Sequence, residues 1–222
     1  MSYYPIIIDL KGQKVVVVGG GSVAQRKIDA LLECDAIVYL VAKELTPLLH
    51  DYTQEGRVKF LGRDFIETDL DGAFLVIAAT DDAHLNHKIS ETAKEHGMLV
   101  NAVDQPEDCN FIVPSIVKRG DLLIAISTSG KSPALAKRIR IKLSEQFGNE
   151  YVYFLTLMGR LRKDIFTRGL SQMENSEIFQ ALVDSPALEA IAAEDWERVA
   201  SILSKILGTP LSQEDVQNYI KG

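Results

Sequence analysis

KVVVVGGGSVA, residues 14–24, is the stretch of this sequence that decides the fold. Four valines in a row are typical of a strand buried on both faces, and the glycines lead into SVAQRKIDALLE, which is compatible with a helix. Together they match the strand–turn–helix pattern G-x-G-x-x-A of dinucleotide-binding folds. In that pattern Gly19 permits the turn, Gly21 lets a pyrophosphate approach the backbone, and Ala24 lets the helix pack on the sheet. We therefore predict that the free N–H groups at the start of this helix bind the phosphates of a dinucleotide.

Strand and helix patterns alternate over the first 113 residues. Near-continuous apolar strands separated by amphipathic helices indicate a parallel sheet covered on both faces, with right-handed crossovers. The predicted fold class is therefore α/β, with a Rossmann-like parallel sheet domain at the start of the chain. The predicted strands are Lys14–Val18, Ala36–Val41, Val58–Leu61, Phe74–Ala79 and Met98–Val103, and the predicted helices are Ser22–Glu33, Glu44–Gln54 and Ala83–His96.

The composition is that of an ordinary globular protein, with 222 residues, 46% of them hydrophobic and 25% charged. The net charge of −7 argues against bulk nucleic-acid binding. No apolar run approaches ~20 residues, and the N-terminus lacks the features of a secretory signal, so we expect no contact with a membrane. Cys34 and Cys109 have neither zinc nor redox spacing, which favours a reducing, cytoplasmic location.

The pattern changes after Pro114. Ser115–Lys118 and Leu122–Ser127 are predicted to form two strands, and Ser132 and Pro133 are predicted to begin a basic helix, Ala134–Gln146. From Glu150 onward the sequence predicts only helices, within residues 151–166, 176–184, 195–207 and 212–222. We therefore predict a nucleotide-binding domain (1–113), a small β–β–α dimerisation and substrate-lining region (114–149) and a helical domain (150–222).

Several further motifs follow the glycine loop in order, and together they are more specific than that loop alone. They are Pro5–Leu10; Val16–Gly21 with Val23, Ala24, Arg26 and Lys27; Ala78–Asp82 with Asn86; Asn101–Asp104; Phe111–Ser115; and Ala125–Ala136. In these motifs the chain resembles the precorrin-2 dehydrogenases, a family that also forms the N-terminal module of sirohaem synthases.

The resemblance implies oxidation of precorrin-2, a reduced tetrapyrrole, to sirohydrochlorin with NAD, by a homodimer. Because the chain ends at Gly222, we expect a stand-alone enzyme without the methyltransferase domain of fused synthases. Some family members also insert ferrous iron into sirohydrochlorin, and this ferrochelatase activity is the alternative. A third hypothesis, a non-catalytic NAD-sensing module, is weakened because the resemblance continues past the nucleotide site.

The candidate cofactor residues lie at the ends of the first, second and fourth strands. An NAD-specific domain usually has an acid at the end of the second strand, but no acid stands at Val41 or Ala42. Lys43 would attract a 2′-phosphate, and the nearest acid, Glu44, lies two residues beyond the position where the ribose-binding acid is expected. The residues alone therefore do not decide between NAD and NADP. The predicted cofactor-binding residues are Gly19, Gly20, Gly21, Ser22, Val23, Ala24, Ala42, Lys43, Glu44, Ala79, Thr80 and Asp81, with capping of the next helix as the other role for Thr80 or Asp81.

Asp104 ends the fifth predicted strand and is the candidate catalytic residue. A carboxylate in a partly desolvated cleft can accept a proton near neutral pH, which suits a reaction that removes a hydride and protons. The family's catalytic candidate at this motif position is also an aspartate. The other interpretation is a turn-forming Asp before Gln105 and Pro106.

The candidate substrate residues are His87, Asn101, Thr128 and Lys131. His84 and His87 lie three residues apart on one helix, but no third ligand follows at metal spacing, so we predict no metal site. The segment 127–132 ends in Gly-Lys-Ser, yet Ala125 stands where a P-loop needs glycine, so ATP binding is not expected. Lys131 belongs to a basic segment that either attracts the tetrapyrrole carboxylates or forms a solvated helix face.

Overall fold

The computed structural model describes residues 3–221 and divides the chain into two compact units, of which the first ends at Val113 and the second begins at Pro114. The further division that we predicted between residues 149 and 150 stays a prediction.

The first unit is a five-stranded parallel sheet with helices between the strands. The strand order is β3-β2-β1-β4-β5, so the chain reverses its direction of winding between β1 and β4. Ligands of open α/β sheets bind outside the carboxyl ends of the strands at such a switch point. The elements are β1 (Lys14–Val18), α1 (Ser22–Leu32), β2 (Ile37–Val41), α2 (Pro47–Gln54), β3 (Lys59–Gly62), β4 (Leu75–Ala78), α3 (Ala83–Glu95) and β5 (Leu99–Ala102).

The valines of β1 contribute to both faces of the sheet. Val15 and Val17 belong to one buried cluster with Ile28 of α1, while Val16 and Val18 belong to another with Ile89 of α3. Successive side chains of a strand point to opposite faces, so one apolar strand supplies both layers of the core. The predicted Rossmann-like fold is therefore confirmed.

Helix α2 begins three residues later than the predicted start at Glu44. The helix begins at Pro47, because Thr46 is its N-cap, with Oγ1 accepting a hydrogen bond from the Leu49 N–H at 3.3 Å. Proline suits the first helical position, where its missing N–H costs nothing. Glu44 and Leu45 are consequently part of the loop after β2. Two short 3-10 turns, Glu67–Leu70 and Pro106–Asp108, were also not predicted.

The second unit opens with an antiparallel hairpin and a helix, as predicted. Strands β6 (Ser115–Arg119) and β7 (Leu122–Ile126) are joined through Gly120, whose φ of +56° is the left-handed conformation that glycine adopts readily. Helix α4 (Pro133–Gln146) is capped by Ser132, whose Oγ accepts a hydrogen bond from the Leu135 N–H at 3.2 Å.

Five helices complete the second unit within the described residues. They enclose a core that includes Leu157, Leu161, Leu182 and Leu203. None of the helices in residues 3–221 is long and apolar enough to cross a membrane. The five helices are α5 (Glu150–Phe166), α6 (Gln172–Val183), α7 (Ala187–Ala192), α8 (Trp196–Leu207) and α9 (Gln213–Lys221).

Two of these helices correct our predictions. Helix α6 begins four residues before the predicted Ser176, because Ser171 and Glu174 form a capping box that starts the helix at Gln172. The short helix α7 was not predicted. The predicted last helix reaches Gly222, which lies outside the described residues.

Candidate functional site

The glycine loop after β1 is held tightly by the neighbouring strand ends. Gly19 has a φ of +121°, and a Cβ there would overlap the Ala79 carbonyl oxygen after β4. Its N–H donates to the Val41 carbonyl at 2.8 Å, at the end of β2. The fold therefore requires glycine at position 19, because of its backbone conformation and its close contact with Ala79.

Gly20 is equally confined, although by a different part of the chain. A Cβ on Gly20 would overlap the carbonyl oxygen of Glu44 and lie 2.8 Å from the Cβ of Ala42. The Thr46 N–H donates to the Gly20 carbonyl at 3.0 Å, which ties the loop after β2 to the glycine loop.

Gly21 has no such internal reason to be glycine. Its φ of −80° suits any residue, and within the described residues no atom other than those of Gly21 itself and its two chain neighbours lies within 4 Å of where its Cβ would be. The missing side chain therefore keeps open a space outside the protein. A phosphate that approaches the backbone at the start of α1 needs this space.

The start of α1 is suited to an anion. Gly21 is the N-cap and makes no side-chain hydrogen bond to the helix, and the first turn contains no acidic residue. The N–H groups of the first turn of a helix have no partner within that helix, and the helix dipole adds positive potential there. Ala24 is fully buried, as expected for the residue at which α1 approaches the sheet.

A cleft of about 890 Å³ opens at the carboxyl edge of the sheet, next to Gly21. The structure places every predicted cofactor-binding residue along this cleft except Ala24, which lies buried in α1. Their role in binding stays a prediction. Ten lining residues were not among the predicted site residues: Val18, Val41, Leu45, Thr46, Arg63, Asp64, Phe65, Asp82, Leu85 and Val103.

The sequence did carry a signal for some of these. Arg63, Asp64 and Phe65 follow the carboxyl end of β3, and all strand ends of a parallel sheet meet at one edge. The same reasoning that selected the ends of β1, β2, β4 and β5 would have selected this segment.

The loop after β4 contains a buried hydrogen-bond network. Thr80 Oγ1 lies 2.7 Å from Oδ1 of buried Asn86, which also accepts from the Thr80 N–H at 3.2 Å. The cap of α3 is neither Thr80 nor Asp81, as we considered, but Asp82, whose Oδ1 accepts from the His84 and Leu85 N–H groups. The network holds Thr80 at the cleft, next to Asp81.

Asp104 lines the cleft at the end of β5. Its φ of +60° is the left-handed conformation, which Asp and Asn adopt more readily than most residues. The preceding residue, Val103, is anchored by its N–H to the Ala78 carbonyl at 2.9 Å. In the single chain the Asp104 side chain is exposed, so the partly desolvated carboxylate that we expected is absent there.

His87 lies outside the cleft lining and is engaged elsewhere. Its Nδ1 is 2.7 Å from Oδ1 of Asp108, whose side chain is only 4% exposed. Glu91, one turn further along α3, brings a third potential metal ligand within 4.8 Å of the others. This group was not visible from sequence spacing, because Asp108 reaches His87 only where the 3-10 turn at Pro106–Asp108 folds back against α3. That the chain has no metal site stays a prediction. His84 is not in this group.

The three other predicted substrate residues also lie outside the cleft lining. Asn101 of β5 donates through Nδ2 to the Phe111 carbonyl at 3.3 Å. Thr128 and Lys131 belong to the second unit, in the turn between β7 and α4. There Thr128 Oγ1 accepts from the Ser132 N–H at 3.1 Å, and its carbonyl accepts from the Lys131 N–H at 3.0 Å.

Burial changes the acidity of two side chains of the first unit. Burial lowers the pKa of the Lys27 ammonium group on α1. It raises the pKa of the Cys109 thiol, which donates to the Ala102 carbonyl at 3.2 Å.

Comparisons with known proteins agree with this architecture. A family model of NAD(P)-binding domains matches residues 6–115, and a model of the central part of sirohaem biosynthesis proteins matches residues 119–146. Among solved structures, that of SirC, a precorrin-2 dehydrogenase, superposes with a TM-score of 0.76 at 28% identity, covering 93% of this chain and 100% of that one.

Two curated relatives show how far the sequence similarity extends. The chain is 42% identical over 168 residues to siroheme synthase 1 of Serratia proteamaculans (strain 568), covering 76% of this chain and 35% of that protein. It is 36% identical over 220 residues to the siroheme synthase of Photorhabdus laumondii subsp. laumondii, and this alignment covers 99% of this chain and 46% of that protein. The chain thus spans less than half the length of these relatives.

Proposed function

Because the chain belongs to the family formed by the precorrin-2 dehydrogenases and the N-terminal module of sirohaem synthases, we propose that it oxidises precorrin-2 to sirohydrochlorin with NAD. The observation that carries this proposal is the open space at Gly21, beside a cleft of about 890 Å³. In the glycine loop between a first strand and its helix, a glycine that the protein's own packing does not require fits the close approach of a pyrophosphate to the backbone.

The residues of the cleft fit a dinucleotide. The first turn of α1 binds the pyrophosphate through its N–H groups, beginning at Ser22 and Val23. The loop after β2 would hold one ribose, and Ala79, Thr80 and Asp81 would hold the nicotinamide half. When bound, NAD supplies the acceptor for the hydride that leaves precorrin-2.

Asp104 is the proposed general base. It lies on the cleft, its carboxylate makes no hydrogen bond within the described residues, and its backbone conformation projects it from a fixed strand end. A bound macrocycle would remove water from the carboxylate and prepare it to accept a proton from the carbon framework. His87, Asn101, Thr128 and Lys131 are proposed to contact the substrate.

A homodimer is proposed to complete the site. On the outer face of the β6–β7 hairpin, Ile116 and Leu123 are 46% and 39% exposed. A two-stranded sheet is marginal unless its apolar faces are covered, so a second copy of the chain is the proposed cover. Sedimentation of the wild type should give a dimer, and Leu123→Glu should shift it towards the monomer.

Neither alternative has a specific observation in its favour. A purely NAD-sensing module would not account for the match of residues 119–146 to sirohaem biosynthesis proteins. Ferrous iron insertion is tested with sirohydrochlorin and iron in the absence of NAD. The proposed oxidation is tested by following sirohydrochlorin absorbance after mixing the protein with precorrin-2 and NAD, and a correctly folded protein that produces no sirohydrochlorin would refute it.

A further inference from the structure

The ends of β2 and β3 bring two cations to the same end of the cleft. Val41 pairs with Gly62, and the Ala42 N–H donates to the Gly62 carbonyl at 3.0 Å. Lys43 therefore lies two residues beyond Val41 and Arg63 one residue beyond Gly62, at the ends of two adjacent strands that lie about 5 Å apart. Both side chains are exposed and both line the cleft.

Neither cation is neutralised by a close partner. In the part of the chain that the structure describes, ion pairs join other residues, and neither Lys43 nor Arg63 forms one. The acids next to them in sequence, Glu44 and Asp64, also line the cleft, but neither lies within ion-pair distance of these cations. Two uncompensated positive charges thus face the space beyond β2.

This position has a defined meaning in a dinucleotide-binding sheet. The end of the second strand lies beside the adenosine ribose, where an acid bonds the 2′-hydroxyl of NAD and an Arg accommodates the 2′-phosphate of NADP. The usual acid is absent at Val41 and Ala42, whereas Arg63 presents a planar fork that matches phosphate and Lys43 adds a point charge.

We infer that the cleft accepts a 2′-phosphorylated adenosine ribose, so that it binds NADP as well as NAD, with Lys43 and Arg63 holding the phosphate. The inference rests on the proposed function only in that the cleft binds a dinucleotide. Glu44 and Asp64 remain available to the ribose hydroxyls, which is why NAD is also accepted.

The test is titration calorimetry of the full chain with four probes: NAD, NADP, 5′-AMP and 2′,5′-ADP. The last two isolate the contribution of the 2′-phosphate. The variants are Lys43→Ala, Arg63→Ala and the double variant. Lys11→Ala is the control, since it removes an exposed cation that precedes β1 and does not line the cleft.

We expect NADP to bind at least as tightly as NAD at low ionic strength, and 2′,5′-ADP to bind more tightly than 5′-AMP. The double variant should bind NADP about tenfold or more weakly than the wild type, and NAD less than about threefold more weakly. Lys11→Ala should leave both affinities unchanged. Added salt should lower the affinity for NADP more steeply than the affinity for NAD.

Two results would overturn the inference alone: binding of NAD without NADP, or an equal loss of both nucleotides in the double variant. Failure of all four probes to bind a folded wild-type protein would instead remove the dinucleotide site and, with it, the proposed function.

Discussion

Gly20 packs against Glu44 so closely that a Cβ on Gly20 would overlap the Glu44 carbonyl oxygen. This contact, together with the hydrogen bond from the Thr46 N–H to the Gly20 carbonyl, joins the glycine loop to the loop after β2. The two loops that the dinucleotide would bridge are consequently one rigid piece of the fold.

Gly21→Ala should separate ligand binding from stability. Its φ of −80° and open surroundings accommodate alanine, and the gain of about 0.4–1 kcal/mol from replacing glycine is offset because an N-cap favours glycine over alanine, so stability should change little. The new methyl group occupies the pyrophosphate path, so NAD affinity should fall by roughly tenfold or more. Urea denaturation and calorimetric titration measure the two effects.

Gly19→Ala is the matched control for that variant. Here the φ of +121° and the overlap with Ala79 should destabilise the fold by about 2 kcal/mol or more. If Gly21→Ala bound NAD as the wild type does, the open space would have no role in binding.

Asp104→Asn should retain NAD binding and lose most of the oxidation. Asn tolerates the left-handed backbone at φ +60° as Asp does, so the loop is preserved while the proton acceptor is removed. A general base contributes about 10²–10⁴-fold, and steady-state rates with precorrin-2 should fall within that range. Unchanged turnover would remove Asp104 from the mechanism.

His87→Ala should destabilise the first unit. The substitution leaves the nearly buried carboxylate of Asp108 without its imidazole partner, which should cost about 1–3 kcal/mol in the free energy of unfolding. His84→Ala, on the same helix, removes an exposed ring and should be neutral in urea denaturation. If both variants unfolded alike, the contact with Asp108 would contribute nothing to stability.

The Tyr219 phenol should link the stability of the second unit to alkaline pH. Its hydrogen bond to Asp164 is the main cause that raises the pKa of Tyr219 to about 12, with burial adding to it. A raised folded pKa means that the stabilisation is complete below the ordinary phenol pKa of about 10 and is lost as pH rises towards 12. At neutral pH, Tyr219→Phe should cost about 1 kcal/mol.

Tyr153→Phe is the control for this prediction, since Tyr153 contacts Trp196 by its ring and its hydroxyl makes no hydrogen bond in the described residues. Urea denaturation across the alkaline range compares the three proteins. A Tyr219→Phe deficit that persisted unchanged above pH 12 would contradict the linkage.

The parts of the fold that local sequence dictates were predictable. The valines of β1 and the glycines after them indicated the sheet, the turn and α1, because burial on both faces and tight turns restrict residue choice strongly. The start of α2 was placed too early because the apolar pattern outweighed Thr46 and Pro47, although their capping chemistry was present in the sequence.

What the sequence could not supply is contact between distant segments. The approach of Asp108 to His87 joins residues 21 positions apart through an unpredicted 3-10 turn. The exposure of Asp104 likewise depends on what covers the cleft, which no local pattern specifies. Arg63 was missed for a simpler reason, since the strand before it was predicted but its carboxyl end was not considered.

The most direct test of the central claim is the stoichiometry of oxidation. The wild-type protein is mixed with precorrin-2 and NAD, and NADH and sirohydrochlorin are measured together by absorbance, with Asp104→Asn and Gly21→Ala in parallel. We predict one NADH for each sirohydrochlorin formed, with the rate reduced in both variants. Formation of sirohydrochlorin at the same rate without a dinucleotide, or none with it, would contradict the claim.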